Sequence, residues 1–291
     1  MDIAIGLPTN LRNVRRERVL EWAQRADEAG FSTVGMGERL TFDGWDWCVS
    51  LTAAASVTTR VRLLSNVVIL PVHPVGVLAK QALSLDAFSE GRFTLGVGTG
   101  APLYDYDVAV APREGRVARF DEHLRTLRRI WRGDSVVPGV RPIGPPAVRE
   151  GGPRLFIGAL RPHGLRRVGQ FADGLTTWSF GADPIEVRAM FDIVEDSWRE
   201  FGRRGTPWLM AGCYYSVGPR AEDDLGDFVR DYYPAIYPGP VDGLLRTIKT
   251  SDERVIKDTV KRFEDIGCDE FLFQPINDAM HHLERLADLV L

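Results

Sequence analysis

Cysteine is scarce in this 291-residue sequence. The three cysteines, Cys48, Cys213 and Cys268, are odd in number, far apart and without any CxxC spacing. This pattern disfavours both a disulfide framework and a cysteine-ligated zinc site. We therefore expect a cytoplasmic protein without a bound metal.

Long apolar runs and an excess of basic charge are also lacking. No window approaches the roughly 18 to 20 apolar residues that cross a bilayer, and the N-terminus lacks the pattern of a signal peptide. The formal net charge is -4, which offers no electrostatic basis for binding nucleic acid or an anionic membrane. The arginines at 125, 128, 129 and 132 follow helical spacing, and we interpret them as a solvated helix face.

Short apolar runs alternate with amphipathic segments along the whole chain. The pattern predicts eight strands, each followed by a helix, which favours one (β/α)8 TIM-barrel domain over residues 1–291. An open doubly wound sheet is the alternative, but no GxGxxG follows the first strand. We interpret the Pro- and Gly-rich stretch at 133–153 as a surface excursion rather than a domain linker. The predicted strands are 2–7, 32–37, 62–70, 92–98, 154–159, 174–179, 208–218 and 269–275.

The carboxyl ends of barrel strands are where active sites are built. Glycines end two neighbouring strands, in Gly98-Thr99-Gly100 and in Gly158-Ala159-Leu160. Their exposed backbone N–H groups suit a phosphate, to which Arg161 could add charge, although a tight turn would explain Gly98 and Gly100 equally well.

Other candidate side chains surround the same end of the barrel. Glu38 and Arg39 could polarise a substrate, move a proton or pair with each other, and His73 is a candidate general acid or base. Trp45 and Trp47 could stack on a flat ring or anchor a loop, and His123, His281 and His282 are expected at the surface. Asn66 and Val67 also lie near a strand end, and the candidates for the substrate side are Tyr104, Trp178 and Gln274.

Four stretches carry a family resemblance. "QALSLDAFSEGRFTLGVGTG" (81–100) resembles the signature of the bacterial luciferase-like monooxygenases. "EWAQRADEAGFSTVGMGE" (21–38), "RLFIGALRPHGLRRVGQFADGLTTW" (154–178) and "DEFLFQP" (269–275) resemble other parts of that superfamily. The resemblance implies a TIM barrel that binds the deazaflavin coenzyme F420 or FMN.

The resemblance also implies roles for particular residues. Asn66–Val67 would be a cis peptide in a bulge that supports the cofactor ring, and the two glycine-bearing loops would hold its phosphate. Two departures weaken a proton relay of the sugar-phosphate dehydrogenase kind: Glu38-Arg39 stands where many F420-dependent members carry Asp-His, and Ala101 stands where some carry glutamate.

The resemblance leaves the cofactor open. The "GVGTG" pattern and the arginine-rich composition favour F420, with hydride transfer between its C5 atom and a small organic substrate. The alternative is an FMN-dependent monooxygenase that uses O2 and a separate reductase. Family members commonly form homodimers through the helices that correspond to 46–58 and 75–89. Loops 101–114 and 234–247 are expected to line the pocket.

Two hypotheses from other classes remain. A non-redox phosphate-binding lyase or isomerase would need a lysine or a carboxylate pair at the mouth, but none of the four lysines lies at a predicted strand end. A non-catalytic cofactor-storage protein is the other. The lysines are Lys80, Lys249, Lys257 and Lys261.

Overall fold

A computed structural model describes residues 1–100, 104–234 and 240–291. In these residues eight parallel strands pair in chain order, and β8 pairs with β1 to close a barrel. The predicted (β/α)8 architecture is therefore confirmed. The strands are β1 (Asp2–Gly6), β2 (Thr33–Met36), β3 (Arg62–Ile69), β4 (Phe93–Gly98), β5 (Arg154–Gly158), β6 (Gly174–Trp178), β7 (Trp208–Tyr215) and β8 (Glu270–Pro275).

Helices follow the strands around the outside of the barrel. Their apolar residues recur at helical spacing and pack on the outward face of the strands, forming the main core. The helices are α1 (Arg16–Ala29), α2 (Trp47–Val57), α3 (Val75–Phe88), α4 (Tyr104–Val108), α5 (Arg116–Trp131), α6 (Pro162–Phe171), α7 (Pro184–Glu200), α8 (Ala221–Tyr232), α9 (Val241–Thr247), α10 (Glu253–Asp265) and α11 (Met280–Val290).

A second, smaller apolar cluster fills the barrel interior. Its residues come from five different strands and are almost completely buried: Ala4, Leu64, Phe156, Met210 and Leu272. Side chains alternate along a strand, so the neighbours of these residues face the helices instead. The filled interior leaves the carboxyl ends of the strands as the place for a binding site.

The excursion at 133–153 contains neither helix nor strand, and most of its residues are exposed. Ile143 and Ala147 pack against the main core.

Among the described residues, no helix is both long enough and apolar enough to cross a membrane.

Candidate active site

The end of β3 is irregular at the mouth of the barrel. The register between β3 and β4 shifts between Ser65 and Val68, and the Asn66–Val67 peptide bond is cis. The bulge and the cis bond expected from the resemblance are both present. The Thr176 hydroxyl donates to Asn66 Oδ1 at 2.8 Å, so strand β6 fixes the Asn66 side chain. Asn66 and Val67 remain partly exposed at the mouth.

Val67 explains two of the glycines at the strand ends. A Cβ atom added to Gly98 would lie 2.8 Å from Val67 Cγ2, and one added to Gly158 would lie 2.7 Å from Val67 Cγ1. Gly100 has a φ of +74° and a Cβ there would lie 2.7 Å from Ile69 Cγ2. These three positions therefore need glycine for packing and for a turn, whatever binds nearby.

The predicted phosphate loops nonetheless leave some groups accessible. Thr99 and Ala159 are partly exposed, while Leu160 and Arg161 are exposed beside them. Arg161 precedes α6 at its N-cap position. The structure thus brings both loops to the mouth, next to the β3 bulge.

Glu38 and His73 form a hydrogen-bonded pair at the mouth. His73 Nε2 lies 2.9 Å from Glu38 Oε1, and Glu38 Oε2 accepts a 2.7 Å hydrogen bond from the Ile69 backbone N–H. The Glu38 side chain is only 4% exposed, whereas that of His73 is 21% exposed. A buried carboxylate therefore orients an imidazole that solvent or a ligand can reach.

Arg39 belongs to a different cluster. Its Nε donates to the Tyr232 hydroxyl at 2.9 Å, and its Nη1 lies 3.3 Å from Oδ2 of the fully buried Asp105. Burial lowers the pKa of Arg39, but Tyr232 and Asp105 outweigh that effect and raise the pKa above its ordinary value. Arg39 thus joins α4 and α8 to the mouth, away from His73.

The three substrate-side candidates have different surroundings. The Trp178 ring packs edge-on against Tyr214 at 4.7 Å, and its buried Nε1 has no hydrogen-bond partner among the described residues. Gln274 is buried and donates from Nε2 to the Leu7 carbonyl at 3.0 Å, so it ties β8 to the segment after β1. Tyr104 begins α4 and is partly exposed.

Parts of the predicted pocket loops, together with Ala101, lie outside the described residues, which omit 101–103 and 235–239.

An aromatic group over the mouth was not identified from the sequence. Tyr214, Phe228, Tyr232 and Tyr233 pack together, and the Tyr233 hydroxyl donates to that of Tyr214 at 2.9 Å. Burial raises the pKa of Tyr214 and Tyr233, so both phenols stay protonated. The available signal was the pair of Tyr-Tyr dipeptides at 214–215 and 232–233.

The prediction that His282 lies at the surface is wrong. Its side chain is buried, and Nδ1 accepts a 3.4 Å hydrogen bond from the Val217 N–H. His123 is half-buried, with Nδ1 3.3 Å from the Leu70 carbonyl oxygen. Both histidines lie on amphipathic helices, where the sequence does not distinguish a residue at the edge of the apolar face from a solvated one.

Trp45, just before α2, and Trp47, its first residue, have anchoring roles. Trp45 Nε1 donates to the Val14 carbonyl at 3.0 Å, and the buried Trp47 ring stacks on Phe93. The interpretation as loop anchors is therefore favoured over stacking on a ligand.

Comparison with known proteins identifies the family. The model of the luciferase-like monooxygenase family matches residues 4–272. The chain belongs to the luciferase-like monooxygenase family. Family membership identifies it as an oxidoreductase.

Two curated relatives differ in their named chemistry. The chain is 31% identical over 252 residues to the 4-hydroxyprotoasukamycin monooxygenase of Streptomyces nodosus subsp. asukaensis, covering 77% of this chain and 67% of the relative. It is 27% identical to the F420-dependent glucose-6-phosphate dehydrogenase of Nakamurella multipartita, covering 69% of this chain and 64% of the relative. The chain thus spans about two thirds of the length of these relatives.

Solved structures share the fold over nearly the whole chain. The monooxygenase RslO1 from Streptomyces bottropensis has a TM-score of 0.81 at 20% identity, covering 99% of this chain and 97% of that chain. An F420-dependent secondary alcohol dehydrogenase, in complex with an F420-acetone adduct, has a TM-score of 0.80 at 18% identity, with 100% and 98% covered.

Proposed function

We propose that this protein is an F420-dependent oxidoreductase that transfers a hydride between C5 of the deazaflavin and a small organic substrate. The observation that carries the proposal is the Glu38–His73 pair next to the β3 bulge. Hydride transfer to a carbonyl carbon requires a proton for its oxygen, and hydride transfer from an alcohol carbon requires a proton to leave the hydroxyl; a carboxylate–imidazole pair at the mouth can supply or accept that proton.

The residues at the mouth fit a flat ring with polar edges. Asn66 and Val67 offer a partly exposed surface, and Trp178 Nε1 is a buried donor without a partner among the described residues. A ring acceptor there would satisfy that donor, while the backbone around Thr99 and Ala159 would take the phosphate. When bound, the deazaflavin would supply or accept the hydride.

The chain's own residues would then handle the proton. Glu38 is held by the Ile69 N–H, and its carboxylate orients His73 through Nε2. The imidazole would exchange a proton with the substrate oxygen from the solvent-facing side. Arg39 would keep α8 and its aromatic residues over the mouth, a positioning role instead of the catalytic one suggested by its place in the sequence.

An FMN-dependent monooxygenase is the second candidate. It is favoured by the 31% identity to a curated monooxygenase, which exceeds the 27% identity to the F420-dependent relative. In that case a separate reductase would supply reduced FMN. Family membership argues against the non-redox lyase or isomerase.

Anaerobic turnover separates the two candidates. The protein would be mixed with F420 and a panel of small secondary alcohols, and with reduced F420 and the matching ketones and aldehydes, while deazaflavin absorbance is followed. Turnover without O2 supports the proposal. O2 consumption with reduced FMN, and no anaerobic turnover on any panel member, would favour the monooxygenase.

A variant tests the proton relay once a substrate is found. Glu38→Gln should lower kcat by about 100-fold, the lower end of general acid–base contributions. Cofactor affinity should change little, because the amide does not contact the predicted phosphate loops. An unchanged kcat would remove Glu38 from the mechanism.

We also propose that the protein is a homodimer through α2 and α3. These helices expose apolar side chains, with Val49 55%, Val77 56% and Phe88 57% exposed. The molar mass in solution, measured by light scattering, tests this proposal.

A further inference from the structure

A surface groove lined by arginines lies at the opposite end of the barrel from the candidate active site. Its volume is about 580 Å³, which is within the usual range for small-molecule sites. It is formed where α5 and α6 end and where β6 begins. The lining residues are Arg125, Arg128, Arg129, Arg132, Gln170, Phe171, Asp173 and Arg203.

The positive charge in this groove is far from balanced by nearby carboxylates. Five guanidinium groups face one carboxylate, Asp173. Asp134, beside the groove, lies 3.6 Å from Arg132 and 4.0 Å from Arg129. Its carboxylate offsets one further positive charge. A surplus of about three positive charges therefore remains near one small groove.

Two of the five arginines have structural roles. Arg128 Nη2 donates to Asp173 at 2.8 Å and to the Phe171 carbonyl at 3.2 Å. Arg203 donates to the Gly169 carbonyl and lies over the Trp198 ring. Both help to satisfy carbonyl groups at the end of α6, which is a common use of arginine at a helix C-terminus.

The other three arginines are not needed for that purpose. Arg125 lies over the Phe171 ring, and the side chains of Arg129 and Arg132 are 52% and 58% exposed. The positions i, i+4 and i+7 form one row along α5, about 10 Å long at 1.5 Å per residue. If this face of α5 were only solvated, there would be no reason for the row to border a groove that holds two more arginines.

We propose that this groove binds a small oligophosphate anion with at least two phosphate groups. Guanidinium groups present planar pairs of donors that match phosphate oxygens. A row of about 10 Å is longer than one phosphate can bridge but suits a chain of two or three. Because the five-residue β6 separates the two ends of the barrel, the groove lies on the order of 15 Å from the mouth, and this site is independent of the proposed function.

Calorimetric titration with inorganic pyrophosphate and tripolyphosphate at low ionic strength tests the proposal. We expect saturable binding of one equivalent, weakened by added salt. The double variant Arg125→Gln/Arg129→Gln should lose at least about tenfold in affinity, because two charge-assisted contacts are removed. The double variant Arg16→Gln/Arg254→Gln changes the net charge equally at exposed sites elsewhere and should bind like the wild type.

The proposal would be overturned by no saturable binding to the wild type, by equal loss of affinity in the two double variants, or by binding of sulfate as tight as that of tripolyphosphate. Tighter binding of a decaglutamate peptide than of tripolyphosphate would assign the groove to an acidic protein segment instead. The substituted arginines are exposed and make only surface contacts, so both variants should stay folded, with thermal melts close to that of the wild type.

Discussion

At the residue scale, Val67 links the features that the sequence presented separately. The sequence shows the glycines at 98 and 158, and the structure places the Val67 side chain against both. Three strands therefore meet around one side chain at the mouth. Packing against Val67 therefore requires glycine at positions 98 and 158 whether or not a cofactor binds.

Gly98→Ala tests that packing. The added Cβ would fall 2.8 Å from Val67 Cγ2, and we expect a loss of about 1–3 kcal/mol in the free energy of unfolding. In the double variant Gly98→Ala/Val67→Ala the clash is absent, so the two changes should be less than additive by about 1 kcal/mol. Urea denaturation measures all four proteins, and strict additivity would contradict the assigned contact.

Glu38 has a structural role that can be separated from its chemistry. In Glu38→Ala the buried Ile69 N–H loses its acceptor, which should cost about 1–3 kcal/mol of unfolding free energy. Glu38→Gln keeps an acceptor oxygen and should cost less than half as much. If urea denaturation shows equal losses in the two variants, the hydrogen bond to Ile69 does not stabilise the fold.

His282 makes the stability depend on pH. Burial, with a smaller contribution from His281, lowers the pKa of His282 to about 4. Between pH values of about 6.5 and 4 the unfolded state therefore binds the proton that the folded state excludes. The free energy of unfolding should fall through this range as the pH falls, by up to about 3 kcal/mol from this residue.

A pair of variants isolates that contribution. His282→Asn should flatten the pH dependence over this range, since Asn offers an acceptor in place of Nδ1 and does not titrate. His163→Asn, at an exposed position, should keep the wild-type slope. Unfolding measured at several pH values gives both slopes, and identical slopes in the two variants would show that His282 is not buried as a neutral side chain.

At the scale of elements, the helix starts were predictable where capping residues mark them. The sequence places Asp183 before Pro184, and the structure begins α7 there, with Asp183 Oδ1 accepting from the Ile185 N–H at 2.9 Å. The strands were found from their apolar runs. The register shift in β3 was predictable only through the family resemblance, because it depends on how Ser65 and Val68 pair with a neighbouring strand.

The cap on α7 gives an element-scale prediction. Asp183→Ala should reduce the free energy of unfolding by about 1 kcal/mol, because a backbone donor of the first turn loses its acceptor. Asp183→Asn should cost much less, since Asn is also a good N-cap residue. Thermal or urea denaturation measures the difference, and equal stability of the alanine variant and the wild type would contradict the capping role.

At the scale of the whole molecule, the alternation of strands and helices was enough to predict the barrel, and the strand ends indicated where its site would lie. Side-chain partners were less predictable. Glu38 and Arg39 are adjacent in the sequence, yet one pairs with His73 and the other with Asp105. Such choices depend on which helices and loops cover the mouth, and no local pattern encodes them.

The central claim is that the mouth binds a deazaflavin. Equilibrium titration of the purified protein with F420 and, separately, with FMN tests it most directly, with fluorescence as the readout. We predict saturable binding of F420 at micromolar concentrations and weaker binding of FMN. Tighter binding of FMN would contradict the choice of cofactor, and failure of both to bind at micromolar concentrations would contradict the account of the site.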